Sequence, residues 1–238
     1  MVFPKQTDLN GIKTIANAFL YLPIKETDLG PMFVEHPFFS SGIIAKMTDD
    51  NLFFAINLLE NPQALEKELE ILTEKIRNSD LQGIWCLILV KYKMTFLKYI
   101  QPYLSKKDFS ILLADAWVSS ENPNQNVNVS TKTAASWFRA ADKRYLMDDK
   151  EFRVWQKLPE HFQIFRGVAV GRNPQGLSWT RNIKTAKWFA HRFDKTEETG
   201  YVQTTMIYRK QALAYFNARG EDELVVDPSR LFISEFTK

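Results

Sequence analysis

The sequence predicts an α+β protein: a helical first half, then an end dominated by strands with a helix between them. Three observations carry that expectation. Apolar residues recur at helical spacing through much of the first 118 residues, a polar Asn-rich stretch interrupts at 119–130, and aromatic and β-branched runs take over beyond residue 160. No GxGxxG or GxxxxGK[ST] run is present, so neither a doubly wound dinucleotide fold nor a P-loop is indicated. The 238 residues can bury one large core or two small ones. A content of 45% hydrophobic and 25% charged residues is that of a soluble globular chain, and 18 Phe, 8 Tyr and 6 Trp argue against wholesale disorder.

The helices follow from their start signals. Asn61-Pro62 opens one, with Asn free to cap and Pro suited to the first turn; Ala64, Leu65, Leu69, Leu72 and Ile76 then share a face. Similar patterns run over Leu9–Leu22, Thr48–Leu59 and Ser105–Val118. The segment Ile84–Ile100 suits a buried helix or a buried strand. Helix is favoured because no Gly or Pro breaks it before Gln101-Pro102. After the loop, Ser130 or Thr131 caps a helix carrying Ala135, Phe138, Ala141 and Tyr145, and another follows Asp148-Asp149. The expected division is a helical domain over 1–120 and a second domain over 121–238.

In the last third, His161–Val170, Leu177–Thr180, Gly200–Tyr208 and Glu223–Val226 read as strands. A helix with Ile183, Ala186, Ala190 and Phe193 on one face follows the second, and Gln211–Asn217 reads as a short turn or helix.

Several function classes drop out. One cysteine, Cys86, makes neither an internal disulfide nor a cysteine-based zinc site, and His36, His161 and His191 lack ligand spacing, so no metal is expected. The longest apolar run, Ile84–Val90, is far shorter than the roughly 20 residues that span a bilayer, and the amino end lacks a signal-peptide pattern. The expectation is a cytoplasmic location, in the producer or in a target cell, with no membrane partner. A net charge of +3 does not by itself indicate nucleic-acid binding.

Three pieces stand in order near the end: Phe165-Arg166-Gly167, Ser178-Trp179-Thr180 and Glu221-Asp222-Glu223. With the run Gly220–Val226, they resemble the mono-ADP-ribosyltransferase superfamily of the Arg-Ser-Glu type, over about Gln163–Pro228. Ser-Trp-Thr stands where that family has Ser-Thr-Ser. Trp179 is expected to point away from Ser178 and Thr180, because strand side chains alternate. The resemblance implies a split β-sandwich with flanking helices and NAD as co-substrate. It implies Glu223 as the catalytic carboxylate, Ser178 as its hydrogen-bonding brace and Arg166 as a phosphate anchor. Gly167 and Thr180 join the dinucleotide pocket. The family's Glu-x-Glu form goes with arginine acceptors, with the first Glu orienting or deprotonating the guanidinium, a role that falls to Glu221.

The chemistry suits such residues. The nicotinamide of NAD is already a cationic leaving group, so cleavage needs no general acid; it needs a fixed carboxylate beside the positive charge growing on the ribose. Two carboxylates two residues apart on an extended segment face one side, and their crowding favours protonation of one at higher pH than usual.

Each residue also has a plainer use. Arg166 suits a structural ion pair, Ser178 and Thr180 a strand end that caps the next helix, and Glu221 with Glu223 a solvated turn. Trp188 and Phe189 read as core rather than as a nicotinamide platform, and Tyr215 and Phe216 as packing rather than as acceptor contacts. The order of the three motifs favours the enzymatic reading: transfer of ADP-ribose to a macromolecule, first a protein arginine.

Between Arg166 and Lys195, seven basic residues face the single acid Asp194. That window attracts NAD phosphates, and equally an RNA or DNA acceptor with Trp179, Trp188 and Phe189 available for stacking, as in a toxin or phage-defence effector. A solvated basic helix face is the plain reading. A non-catalytic binding module of the same fold is a third possibility, with the helical half meeting a partner or antitoxin protein.

Overall fold

A computed structural model describes residues 1–47, 53–194 and 199–236. The chain divides into two compact units, Phe3–Leu104 and Ser105–Lys238, the second also taking in Met1–Val2. The division therefore falls before Ser105 and not at residue 120. The Asn-rich stretch is a loop inside the second unit, and the helix preceding it packs with that unit's own helices.

The first unit holds helices α1 (Leu9–Leu20), α2 (Pro62–Asn78), α3 (Leu81–Leu87) and α4 (Val90–Ile100), with two antiparallel hairpins. The hairpins are β1 (Lys25–Thr27) with β2 (Gly30–Glu35), and β3 (Ile43–Met47) with β4 (Phe53–Asn57). Helix α2 starts where its cap signal lies, with the Asn61 side chain accepting from the Ala64 amide at 3.0 Å. Two expectations are corrected here. Of the helix expected over Thr48–Leu59, residues 48–52 lie outside the described residues and Phe53–Asn57 is a strand paired in register with β3. The run Ile84–Ile100 is not one helix, because Ile88 and Leu89 turn extended and the Leu89 amide donates to the Pro37 carbonyl at 2.9 Å. A tertiary hydrogen bond breaks the helix without any Gly or Pro.

The second unit holds helices α5 (Lys106–Ser119), α6 (Thr131–Ala140), α7 (Lys143–Leu146), α8 (Asp149–Gln156) and α9 (Ile183–His191). Its strands are β5 (His161–Val168), β6 (Ser178–Thr180), β7 (Tyr201–Tyr208), β8 (Ala212–Phe216), β9 (Glu223–Val226) and β10 (Ser234–Phe236). They form one antiparallel sheet in the order β10-β7-β5-β6-β9-β8. The molecule is thus mixed α/β, its helical first half followed by an antiparallel sheet. Strands β5 and β7 pair along their full length, whereas β5 and β6 share a single paired position, Phe165 with Thr180. Two three-stranded halves meet at that narrow join.

Strand β8 corrects the expected turn or helix at Gln211–Asn217. All five of its residues are buried, so no alternation marks it as a strand. Its outer edge is covered by side chains of α7, of α8 and of Met147 between them: Lys143 Nζ donates to the Leu213 carbonyl at 2.6 Å, the Trp155 indole to the Ala212 carbonyl at 3.0 Å, and Met147 sulfur accepts from the Tyr215 amide. Edge groups capped in this way offer nothing to a further strand. Burial pulls the Lys143 ammonium down to about 8.

Helix α9 lies against β5 and β7 with little between the backbones. A Cβ at Gly167 would stand 2.1 Å from the Ala186 carbonyl oxygen, and one at Gly200 1.9 Å from that of Ala190. The two glycines let the helix seat on Ala186 and Ala190, both fully buried with Val202. We expect Gly167→Ala to destabilise the protein by about 1–3 kcal/mol or more, since backbone on both sides must move. Urea denaturation checks this; an unchanged midpoint would place α9 further from the strand.

Candidate functional site

One cavity of about 150 Å³ opens beside the join of the two half-sheets, and Arg166, Gly167, Ser178, Thr180, Glu221 and Glu223 all line it. The register explains why. Thr180 pairs with Glu223 and Ser178 with Val225, so Ser178, Thr180 and Glu223 share one face of the β6–β9 ladder. Trp179 alternates with them and is buried, its indole donating to the Gly176 carbonyl at 3.2 Å.

Glu223 sits deep in the cavity wall. Its Oε1 accepts from the Trp117 indole N–H at 3.0 Å, and Ser178 shares its face of the ladder. Ser178 Oγ accepts in turn from Asn124 Nδ2 at 3.0 Å, leaving its own proton for the carboxylate. Asn124 is held by its Oδ1, which accepts from the Leu177 amide at 2.6 Å. Trp117 thus fixes the carboxylate, and Asn124 fixes the Ser178 hydroxyl on the same face. Burial pushes the Glu223 carboxyl above its ordinary value; the bonds from Ser178 and Trp117 pull it back, while Glu221 nearby adds to the rise. The residue as a whole is only partly buried and lines the cavity.

Glu221 reaches the same cavity by a different route from the one expected. Gly220 and Asp222 both take positive φ, 70° and 50°, so the segment turns instead of extending and strand alternation does not relate the two glutamates. The turn is pinned: Thr180 Oγ1 donates to the Glu221 carbonyl at 3.0 Å, the Asp222 amide to Asn217 Oδ1 at 3.0 Å, and Arg181 pairs with the Asp222 carboxylate at 2.8 Å. Thr180 Oγ1 also accepts from the Asn182 amide at 3.1 Å, so its hydroxyl is engaged in shaping the turn.

Arg166 is only 8% exposed. Its Nη1 donates to the Ser178 carbonyl at 2.6 Å and its Nη2 to the Asn173 carbonyl at 2.9 Å, so it fastens β6 and the preceding loop to β5. Gly176 leaves room for it, since a Cβ there would stand 2.0 Å from Nη2. Burial pulls the guanidinium down to about 10, against the pull of the Glu223 charge.

The aromatics divide. Trp188 is 60% exposed, which overturns its reading as core, and Phe189 is half-buried on the cavity wall. Tyr215 and Phe216 are buried as packing residues; Phe216 also borders the cavity, and burial with hydrogen bonding to Asp222 pushes the Tyr215 phenol up to about 12. Lys195 of the basic window lies outside the described residues. Among the described residues no group of His, Cys, Asp and Glu is placed to hold a metal, and no helix is long and apolar enough to cross a membrane. Trp117 and Asn124 are the functional neighbours that sequence reading missed. Neither belongs to a motif, and Trp117 lies 106 residues from the carboxylate it serves.

Removing the indole donor tests the arrangement. In Trp117→Phe the Glu223 carboxyl is expected to titrate about one unit or more higher, because a hydrogen bond to a charged group is worth about 1.5–3 kcal/mol. Carbon-13 NMR titration of the side chain reads this directly. An unmoved titration would mean that the indole does not hold the carboxylate.

Compared with protein-family models, with curated proteins and with solved structures, the chain matches none of them.

Proposed function

We propose that this protein is a mono-ADP-ribosyltransferase, built on a split sheet of that kind, which moves ADP-ribose from NAD to a protein arginine and releases nicotinamide. The observation that carries the reading is Glu223: a carboxylate braced by Ser178 and Trp117, in a cavity shared with Arg166 and Glu221. The cavity is smaller than the roughly 300–1,000 Å³ of sites that enclose whole drug-sized ligands, which suits entry of the nicotinamide end alone.

In this reading the bond between nicotinamide nitrogen and ribose C1′ breaks, and its electron pair neutralises the pyridinium. Glu223 stabilises the positive charge left on the sugar. Its oxygens have their donors in place beforehand, so little reorganisation is needed as that charge develops. The acceptor nitrogen then bonds to C1′, and Glu221 takes the proton it sheds.

Two signs of pH dependence follow from the raised Glu223 carboxyl. Activity needs the carboxylate, so the acid limb of the rate profile should lie above the ordinary value of 4.5. Stability runs the opposite way: the fold holds the proton more tightly than the unfolded chain, so stability falls as pH rises from 4.5 through the raised value. Glu223→Gln should therefore lose labelling from radioactive NAD by about 100-fold or more, yet match or exceed the wild type in denaturant midpoint at pH 8. Full labelling by that variant would remove Glu223 from the chemistry.

Glu221→Ala should lose transfer but keep slow NAD hydrolysis. Offering protein, RNA and DNA side by side identifies the acceptor class. Nicotinamide release by the wild type excludes a purely binding module.

A further inference from the structure

Three arginines of the cavity lining, Arg172, Arg192 and Arg219, have no part in the reaction as proposed, and Arg219 donates to the Ser120 carbonyl at 3.4 Å. Arg172 lies in the loop after β5, and Arg192 at the C-terminal cap of α9; both line the cavity. Their guanidinium groups share one aromatic ring, standing 5.4 Å and 4.7 Å from the Phe193 centroid, and Arg192 also lies 4.9 Å from that of Phe189. The polar partner of Arg172 is neutral: Nη1 donates to Gln125 Oε1 at 3.0 Å.

Elsewhere in this unit Arg139, Arg181 and Arg209 each pair with a carboxylate. Among the described residues, neither Arg172 nor Arg192 does. The charges facing Arg192 are mixed. Partial burial and the Arg172 charge lower its affinity for a proton, while Glu221 and Glu121 act against them. A cation at a helix C-terminus is favourable in its own right, which accounts for Arg192. It does not account for a second arginine brought beside it on neutral supports. Such a pair gains when an anion enters, because each guanidinium fork then finds the oxygens it lacks.

We propose that Arg172 and Arg192 form a diphosphate cradle, which takes the two phosphates of the dinucleotide whose nicotinamide end lies over Glu223. The inference rests on the proposed function. It moves the main phosphate contact from Arg166, whose bonds to Ser178 and Asn173 fasten β6, to the accessible pair at the rim. Two adjacent forks match two adjacent phosphates, and the cradle borders the same cavity as the carboxylate. A diphosphate is therefore favoured over the spaced phosphates of a nucleic-acid strand.

Calorimetry with ADP-ribose, inorganic pyrophosphate and nicotinamide as separate probes tests it on the full chain. Arg172→Ala and Arg192→Ala should each weaken ADP-ribose and pyrophosphate binding about tenfold or more, with nicotinamide binding unchanged. In nicotinamide-release assays the same variants should raise KM for NAD while largely sparing kcat. Arg172→Lys should recover part of the loss, and near-wild-type melting curves would show that both alanine variants fold. Equal ADP-ribose affinity in wild type and variants overturns the cradle while leaving the transferase reading intact. A wild type that binds ADP-ribose through these arginines but never releases nicotinamide keeps the cradle and overturns the transferase. Arginine-dependent binding of a single-stranded oligonucleotide, with none of ADP-ribose or pyrophosphate, overturns the diphosphate assignment.

Discussion

The two halves of the large sheet touch through one backbone pair, Phe165 with Thr180, and Arg166 bridges the same gap with a guanidinium bond to the Ser178 carbonyl. The cavity opens beside that join, so the bridge sets how the two walls meet. A buried guanidinium is costly unless its donors are used; Nη1 and Nη2 use theirs on β6 and on the loop before it, while the buried Nε has no hydrogen-bond partner among the described residues. Removing Arg166 would leave two carbonyls without their donor and the halves joined by a single pair. Ser178 and Glu223 would still be held together by the β6–β9 ladder, but their half of the sheet would lose its tie to β5.

Glu223 works against the stability of the fold around it. Burial disfavours its charge, and two donors offset only part of that penalty. A purely structural position of this kind would be better filled by an apolar side chain. Retaining a carboxylate on the cavity wall makes sense where something inside the cavity becomes positive, as the proposed reaction requires.

Local chemistry made much of this legible. The caps at Asn61, Ser105, Ser130 and Asp148 all bond to backbone amides as their residue types suggest. Strands β5, β6, β7 and β9 were visible in their aromatic and β-branched content, and the three motifs that they carry do meet in one cavity. What stayed hidden depends on distant partners. Strand β8 lacks alternation because every residue is enclosed, and α4 begins afresh at Val90 because of a bond to Pro37. The apolar run at Phe53–Asn57 is too short to separate helix from strand by pattern alone. The exposure of Trp188 follows from α9 turning its alanines inward, which periodicity does not rank above a tryptophan.

Helix α5 has a consequence for how this chain can be divided. A polar, Asn-rich stretch is where one would cut to isolate the sheet, yet a fragment beginning there would discard the indole that donates to Glu223. The compact unit that holds both the indole and the carboxylate takes up the chain again at Ser105, one helix earlier than composition advertises. Any exchange of amino-terminal modules by recombination would have to respect that same seam, carrying α5 with the sheet and not with what precedes it.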